Sequence, residues 1–166
     1  MDSVTAFAPA TVSNVACGFD VLGFALEAPG DEVTARWRES SAAEVTIDDI
    51  VGDEGRLPRA AERNTAGVAA RALLTRLGER RGVALTIRKG LPLASGLGGS
   101  AASAVAAVVA VNALAGASTP LEALKASASA RAPRTATISR RPCTAASCWC
   151  VSRTRPMSFD CPHRPA

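Results

Sequence analysis

Three glycines and three serines crowd the run Pro92-Leu93-Ala94-Ser95-Gly96-Leu97-Gly98-Gly99-Ser100-Ala101-Ala102-Ser103. It follows a strand-like stretch, Val83 to Arg88, and opens a long Ala/Val stretch with helical character. Glycines let a backbone approach a ligand closely and take positive φ. The free N–H groups and positive dipole end of a following helix favour an anion. Ser100 and Ser103 place hydroxyls at the helix mouth, where one can cap the helix and another can touch a phosphate or its metal ion. The chemistry suggested is a phosphate cradle. A turn-and-cap reading explains a lone Gly/Ser cluster equally well. The loop is not a Walker A motif, because no lysine follows its last glycine, and Gly96-Leu97-Gly98-Gly99 lacks the spacing of a dinucleotide-binding turn.

The elements that must position this loop are read from periodicity. Val4–Ala8 and Phe19–Leu26 read as strands joined by a loop, and Glu32–Arg38 and Glu44–Ile47 alternate enough to continue a sheet. Asp48–Arg63 reads as polar loop. Asn64 can cap a helix running to about Leu77, with Val68, Ala72 and Leu73 near its apolar face and Gly78 as its stop. A helix from Ser100 to about Ala115 follows the glycine loop, and Thr119-Pro120 with Glu122 starts another. Strands first and then a β-loop-α unit predict an α+β or mixed α/β fold.

Composition narrows the classes. A chain of 166 residues with 48% hydrophobic content can bury one sizeable core. Residues 1–125 carry 12 basic and 14 acidic side chains, whereas residues 126–166 carry 7 arginines and a single acid, Asp160. The overall charge of +4 therefore belongs to the tail, and a nucleic-acid partner would rest on that tail alone. Its mixture of Cys, Trp and Pro argues against such an arm, so no nucleic-acid partner is expected. Gly90–Leu121 is uncharged, but its Gly/Ser loop and Ala-rich helix are weakly apolar for lipid, so no membrane span is expected. The N-terminus lacks a secretory pattern, which points to the cytoplasm.

A second motif reads Ala8-Pro9-Ala10-Thr11-Val12-Ser13-Asn14-Val15-Ala16-Cys17-Gly18-Phe19-Asp20-Val21-Leu22-Gly23. By themselves, Asn14 is a turn residue and Asp20 a surface carboxylate as readily as ligands. Together, the two motifs resemble the N-terminal domain of the GHMP small-molecule kinases, and the second resembles the signature of the homoserine-kinase branch. It departs from that signature at Val15-Ala16-Cys17, where Leu and Gly are usual. The stretch from about Val4 to about Lys125 carries the resemblance.

The resemblance implies a GHMP kinase N-terminal domain with a left-handed βαβ unit. It implies ATP-dependent phosphorylation of the L-homoserine hydroxyl to O-phosphohomoserine, a step of threonine biosynthesis, with Mg²⁺ as the metal, an activity expected to be impaired or absent in this truncated chain. Carried over position by position, Asn14 and Asp20 contact the amino-acid substrate, with Asp20 as the catalytic residue near the reacting hydroxyl. The loop residues Pro92, Ser95, Gly96, Leu97, Gly98, Gly99, Ser100, Ala101 and Ser103 wrap the ATP phosphates, Ser100 also reaches Mg²⁺, and Asn64 lies on the nucleotide side. Mevalonate kinase and diphosphocytidyl-methylerythritol kinase are rival members, and a non-catalytic nucleotide- or partner-binding fragment is a rival of another class. The full-length family carries a ferredoxin-like C-terminal domain, absent from this chain, and a homodimer is associated with that full length.

Residues 126–166 depart from the family. They are read as a basic Arg/Pro/Cys tail without regular structure, following a domain over residues 1–125. No Asp or Glu lies between Glu122 and Asp160, so the carboxylate the family uses for Mg²⁺ has no counterpart. Cys143, Cys148, Cys150, Cys161 and His163 lack the paired C-x₂-C spacing of structural zinc, and a cytosolic setting argues against disulfides. Codons can instead be chosen for Arg134–Cys150 so that the neighbouring frame encodes His-Gly-Asp-Asn-Ile-Ala-Pro-Ala-Leu-Tyr-Gly-Gly-Phe-Met-Leu-Val, which resembles the missing family segment. The tail is therefore expected to be out of frame, and a body left uncovered by it is expected to expose apolar surface.

Overall fold

The computed structural model describes residues 2–13, 15, 22–40, 43–130 and the backbone of 150–152. Strand β1 spans Ser3–Val12, β2 Phe24–Arg38, β3 Val45–Val51 and β4 Gly82–Arg88, with a short edge strand β5 at Cys150–Ser152. Helix α1 spans Thr65–Leu77, α2 Gly99–Leu114 and α3 Leu121–Ala128, and a 3₁₀ turn, Ala61–Arg63, precedes α1. The sheet order is β3-β4-β2-β1-β5. All neighbours are antiparallel except β3 and β4, which are parallel. Parallel neighbours need a crossover connection, and α1 supplies it as a β3-α1-β4 unit. The result is a mixed α+β fold.

Alternation dictates which face of the sheet is covered. Val4, Ala6 and Ala8 of β1, Val33 and Ala35 of β2, and Val83, Leu85 and Ile87 of β4 are buried at every second position. Helix α2 packs on β1 and β2, and α1 packs on α2. Because α2 is built from Ala and Val and is buried on nearly all sides, it has no polar stripe, as expected for a helix enclosed between a sheet and other helices. Its length of 16 residues and its place against the sheet account for the long uncharged run. Among the described residues no helix is long and apolar enough to cross a membrane.

Several boundaries differ from the sequence reading. Phe24–Leu26 and Glu32–Arg38 belong to one strand, because the Ala28-Pro29-Gly30 break is absorbed as an irregularity: pairing with β1 jumps from Pro9↔Gly30 to Thr11↔Ala25. Pro29, which has no N–H to donate, falls within that irregular part. Asp48–Val51 is strand rather than loop, drawn in by its parallel pairing with β4. The buried face of α1 is Ala66, Ala69, Ala70, Leu73 and Leu74, while Val68 and Ala72 flank it. Thr119 does not cap α3; Pro120 occupies that position without a side-chain bond. Helix α3 continues beyond Lys125 to Ala128. In the tail, Cys150–Ser152 pairs antiparallel with Thr5–Phe7. Large apolar side chains are exposed at Leu22, Phe24, Val51 and Leu121.

Candidate functional site

The site is built where β4 ends. The next rung beyond the cross-strand pair Glu32↔Arg88 is Asp31 opposite Lys89, at positions in phase with Val33 and Ile87 on the core face. Two charges are thereby placed under the first turn of α2. Asp31 is fully buried and its Oδ1 accepts the backbone N–H groups of Gly90 and Leu91 at 3.1 and 3.2 Å. Its Oδ2 accepts from the Lys89 ammonium and from the Ser103 hydroxyl, the latter at 2.7 Å. Lys89 Nζ also donates to the Gly99 carbonyl at 3.1 Å and to Ser103 Oγ at 2.9 Å. A buried charge pair is tolerable only with such complete pairing.

The glycine loop rises from this base. Ala94, Gly96 and Gly98 have φ of 61°, 74° and 73°, and Pro92, Ala94, Ser95, Gly96, Ser100 and Ala101 are exposed. The Thr11 N–H donates to the Leu97 carbonyl at 3.1 Å, so the strand end that carries the second motif buttresses the glycine loop. Ser95 Oγ accepts from Leu97 N at 3.4 Å, a bond internal to the loop. Helix α2 begins after Gly98 with no side-chain cap and no acid in its first turn. Uncapped first-turn N–H groups and an unopposed positive dipole end suit a phosphate.

Not every sequence candidate faces the open side of the loop. Ser103 points inward and is 4% exposed, its hydroxyl engaged with Asp31, Lys89 and the Gly99 carbonyl. One helical turn separates it from the exposed Ser100, which remains the hydroxyl at the helix mouth. Asn64 is buried; its Oδ1 accepts from Ala66 N and its Nδ2 donates to the Pro58 carbonyl, both at 3.0 Å, so its whole amide shapes the start of α1. Asn14 and Asp20 lie outside the described residues, as do Cys17, Cys143, Cys148, Cys161 and His163.

Residues 64–137 match the family described as GHMP kinases N terminal domain. The chain carries a GHMP kinase N-terminal domain. It is 49% identical over 124 residues to the homoserine kinase of Chloroherpeton thalassium, an alignment that takes in 70% of this chain and 39% of that protein. The crystal structure of homoserine kinase from Cytophaga hutchinsonii superposes with a TM-score of 0.73 at 48% identity, covering 77% of this chain and 40% of that one. Mevalonate kinase from Staphylococcus aureus shares the fold at a TM-score of 0.54 and 24% identity, over 77% of this chain and 44% of its own. The chain thus spans about two fifths of the length of the homoserine kinases it matches.

Sequence reasoning did not select Asp31 and Lys89. The signal was present: extending the alternation Val33, Ala35 and Ile87, Leu85 by one step puts an acid and a base at core-facing positions of neighbouring strands. Recognising it requires knowing that β2 and β4 pair.

Proposed function

We propose that this chain is the nucleotide-binding part of an ATP-dependent kinase that phosphorylates the hydroxyl of L-homoserine. The observation that carries the reading is the exposed glycine loop opening onto an uncapped helix start, in a chain 48–49% identical to homoserine kinases. In this reading the N–H groups around Gly96–Ala101 receive the phosphates, and Ser100 contributes its hydroxyl. The substrate hydroxyl oxygen bonds to the γ-phosphorus as the bond to the ADP oxygen breaks, and the hydroxyl proton passes to the Asp20 carboxylate or to water. Asn14 holds the amino-acid substrate. Such transfer depends on positioning and charge neutralisation more than on a strong base.

The described residues do not make a magnesium site of their own. No group of three or more His, Cys, Asp or Glu side chains gathers among them, and the one carboxylate beneath the loop, Asp31, is buried and fully bonded. A hard cation wants several oxygen ligands, and Ser100 alone does not supply them.

Titration calorimetry of the full chain with ADP and ATP, followed by an assay of ADP release with homoserine, mevalonate or diphosphocytidyl-methylerythritol, tests the reading. Nucleotide binding with homoserine-dependent release supports it. Binding without transfer to any acceptor favours a non-catalytic nucleotide-binding role, and no binding at millimolar nucleotide overturns the reading.

A further inference from the structure

We infer that Asp31, Lys89 and Ser103 act together as a clamp that closes the base of the glycine loop and sets the direction of its N–H groups. The loop is entered at Gly90 and Leu91, whose N–H groups both bond Asp31 Oδ1. It is left at Gly99, whose carbonyl bonds Lys89 Nζ. Entry and exit are thus held by the two members of one ion pair, and Ser103 Oγ bridges them by donating to Asp31 and accepting from Lys89. The lysine and aspartate side chains are 3% and 0% exposed.

Stability alone is a poor account of this arrangement, since an apolar pair of the same volume would hold the core at least as well without the desolvation cost. What an ion pair adds is direction. Each of the three ammonium N–H bonds has its own acceptor, and the carboxylate receives four donors, so one backbone geometry satisfies the set and displaced ones leave a buried charge unpaired. The pair is also neutral as a unit, which leaves the positive end of α2 uncancelled at the exposed side of the loop. Gly90 tightens the same junction: a Cβ there would lie 2.0 Å from the Gly30 carbonyl oxygen.

The consequence for phosphate binding rests on the kinase reading, whereas the clamp itself does not, and two readouts separate them. Ser103→Ala removes the bridge while leaving both charges paired, Ser103→Thr keeps a hydroxyl, and Lys89→Met breaks the pair. In the full chain, amide hydrogen exchange is expected to quicken in Ser103→Ala at residues 91–102 with α1 and β3 unchanged, and to return towards wild type in Ser103→Thr. ADP affinity, measured by calorimetry, is expected to fall roughly tenfold in Ser103→Ala and further in Lys89→Met, since small displacements of positioned donors are costly. Exchange that rises evenly along the chain, or does not change at residues 91–102, overturns the clamp. Loop-restricted exchange in a chain that binds no ADP upholds the clamp and overturns the nucleotide reading. Should Lys89→Met fail to fold, the Ser103 pair of variants decides.

Discussion

Thr11 and Gly98 are packed so closely that a Cβ on the glycine would lie 2.4 Å from Thr11 Oγ1. Beside that contact the Thr11 N–H bonds the Leu97 carbonyl. The first strand therefore braces the loop at the N-cap position of α2, and Thr11 joins the described start of the second motif to the glycine loop.

Gly98→Ala should be more harmful than its φ of 73° alone implies. Positive φ costs an alanine about 1 kcal/mol, and the Thr11 contact forces the loop or the strand to move, for a total on the order of 2–3 kcal/mol. Gly96→Ala has a similar φ of 74° with open space around it, so about 1 kcal/mol is expected. Urea denaturation midpoints compare the two; equal losses would mean that Thr11 does not constrain Gly98.

Asn64→Ala removes the cap on α1 and leaves the Pro58 carbonyl without its donor. A loss of about 1–2 kcal/mol is expected. Asn64→Ser keeps a capping oxygen and should recover part of it. Because both ends of the amide are engaged within the protein, ADP affinity in Asn64→Ser should stay close to wild type. A marked loss of affinity in a well-folded Asn64→Ser protein would instead show direct contact with the nucleotide.

Glu79 accepts from the Arg81 guanidinium and from the Arg81 and Arg80 backbone N–H groups, with the Arg81 side chain the main influence, and its carboxyl is lowered to about 2. A carboxylate held below its unfolded value of 4.5 adds stability at higher pH and loses it as pH falls from about 4.5 towards about 2. Arg81 in turn lies 3.7 Å from the centre of the Trp37 ring, tying this turn to β2. Glu79→Gln is expected to cost about 0.5–1 kcal/mol at pH 7. Thermal melts of both proteins between pH 7 and pH 2 should converge at the acid end; a constant gap would rule out the ionised contact as the cause.

We propose that residues from about 126 onward derive from a shifted reading frame. Sequencing the coding DNA across Leu121–Ala166 should then show a base gained or lost near Lys125 whose correction yields the His-Gly-Asp-Asn segment. A verified frame would overturn this and make the Arg/Pro/Cys segment the true product, with kinase activity then taken as lost until ATP-dependent phosphorylation of homoserine is shown.

The glycine loop, the Asn64 cap, the Gly78 stop and the helix after the loop were readable from residues 64–115 because each depends on local chemistry. Asn64 and Gly78 bound α1 as expected, with Gly78 at φ 66°. The apolar run past Gly99 becomes a helix within one residue of its anticipated start. Local propensity misjudged β2, where Pro29-Gly30 has the marks of a turn and pairing with β1 and β4 overrides them.

From the sequence alone came the α+β fold class and the glycine loop set between a strand and a helix, since short-range spacing and glycine conformations determine these. Tertiary structure alone decided that Ser103 faces inward while Ser100 faces out, and that Asp31 meets Lys89 beneath the loop. These residues are far apart in the chain, and only the antiparallel pairing of β2 with β4, with α2 laid across them, puts two opposite charges at neighbouring core-facing positions.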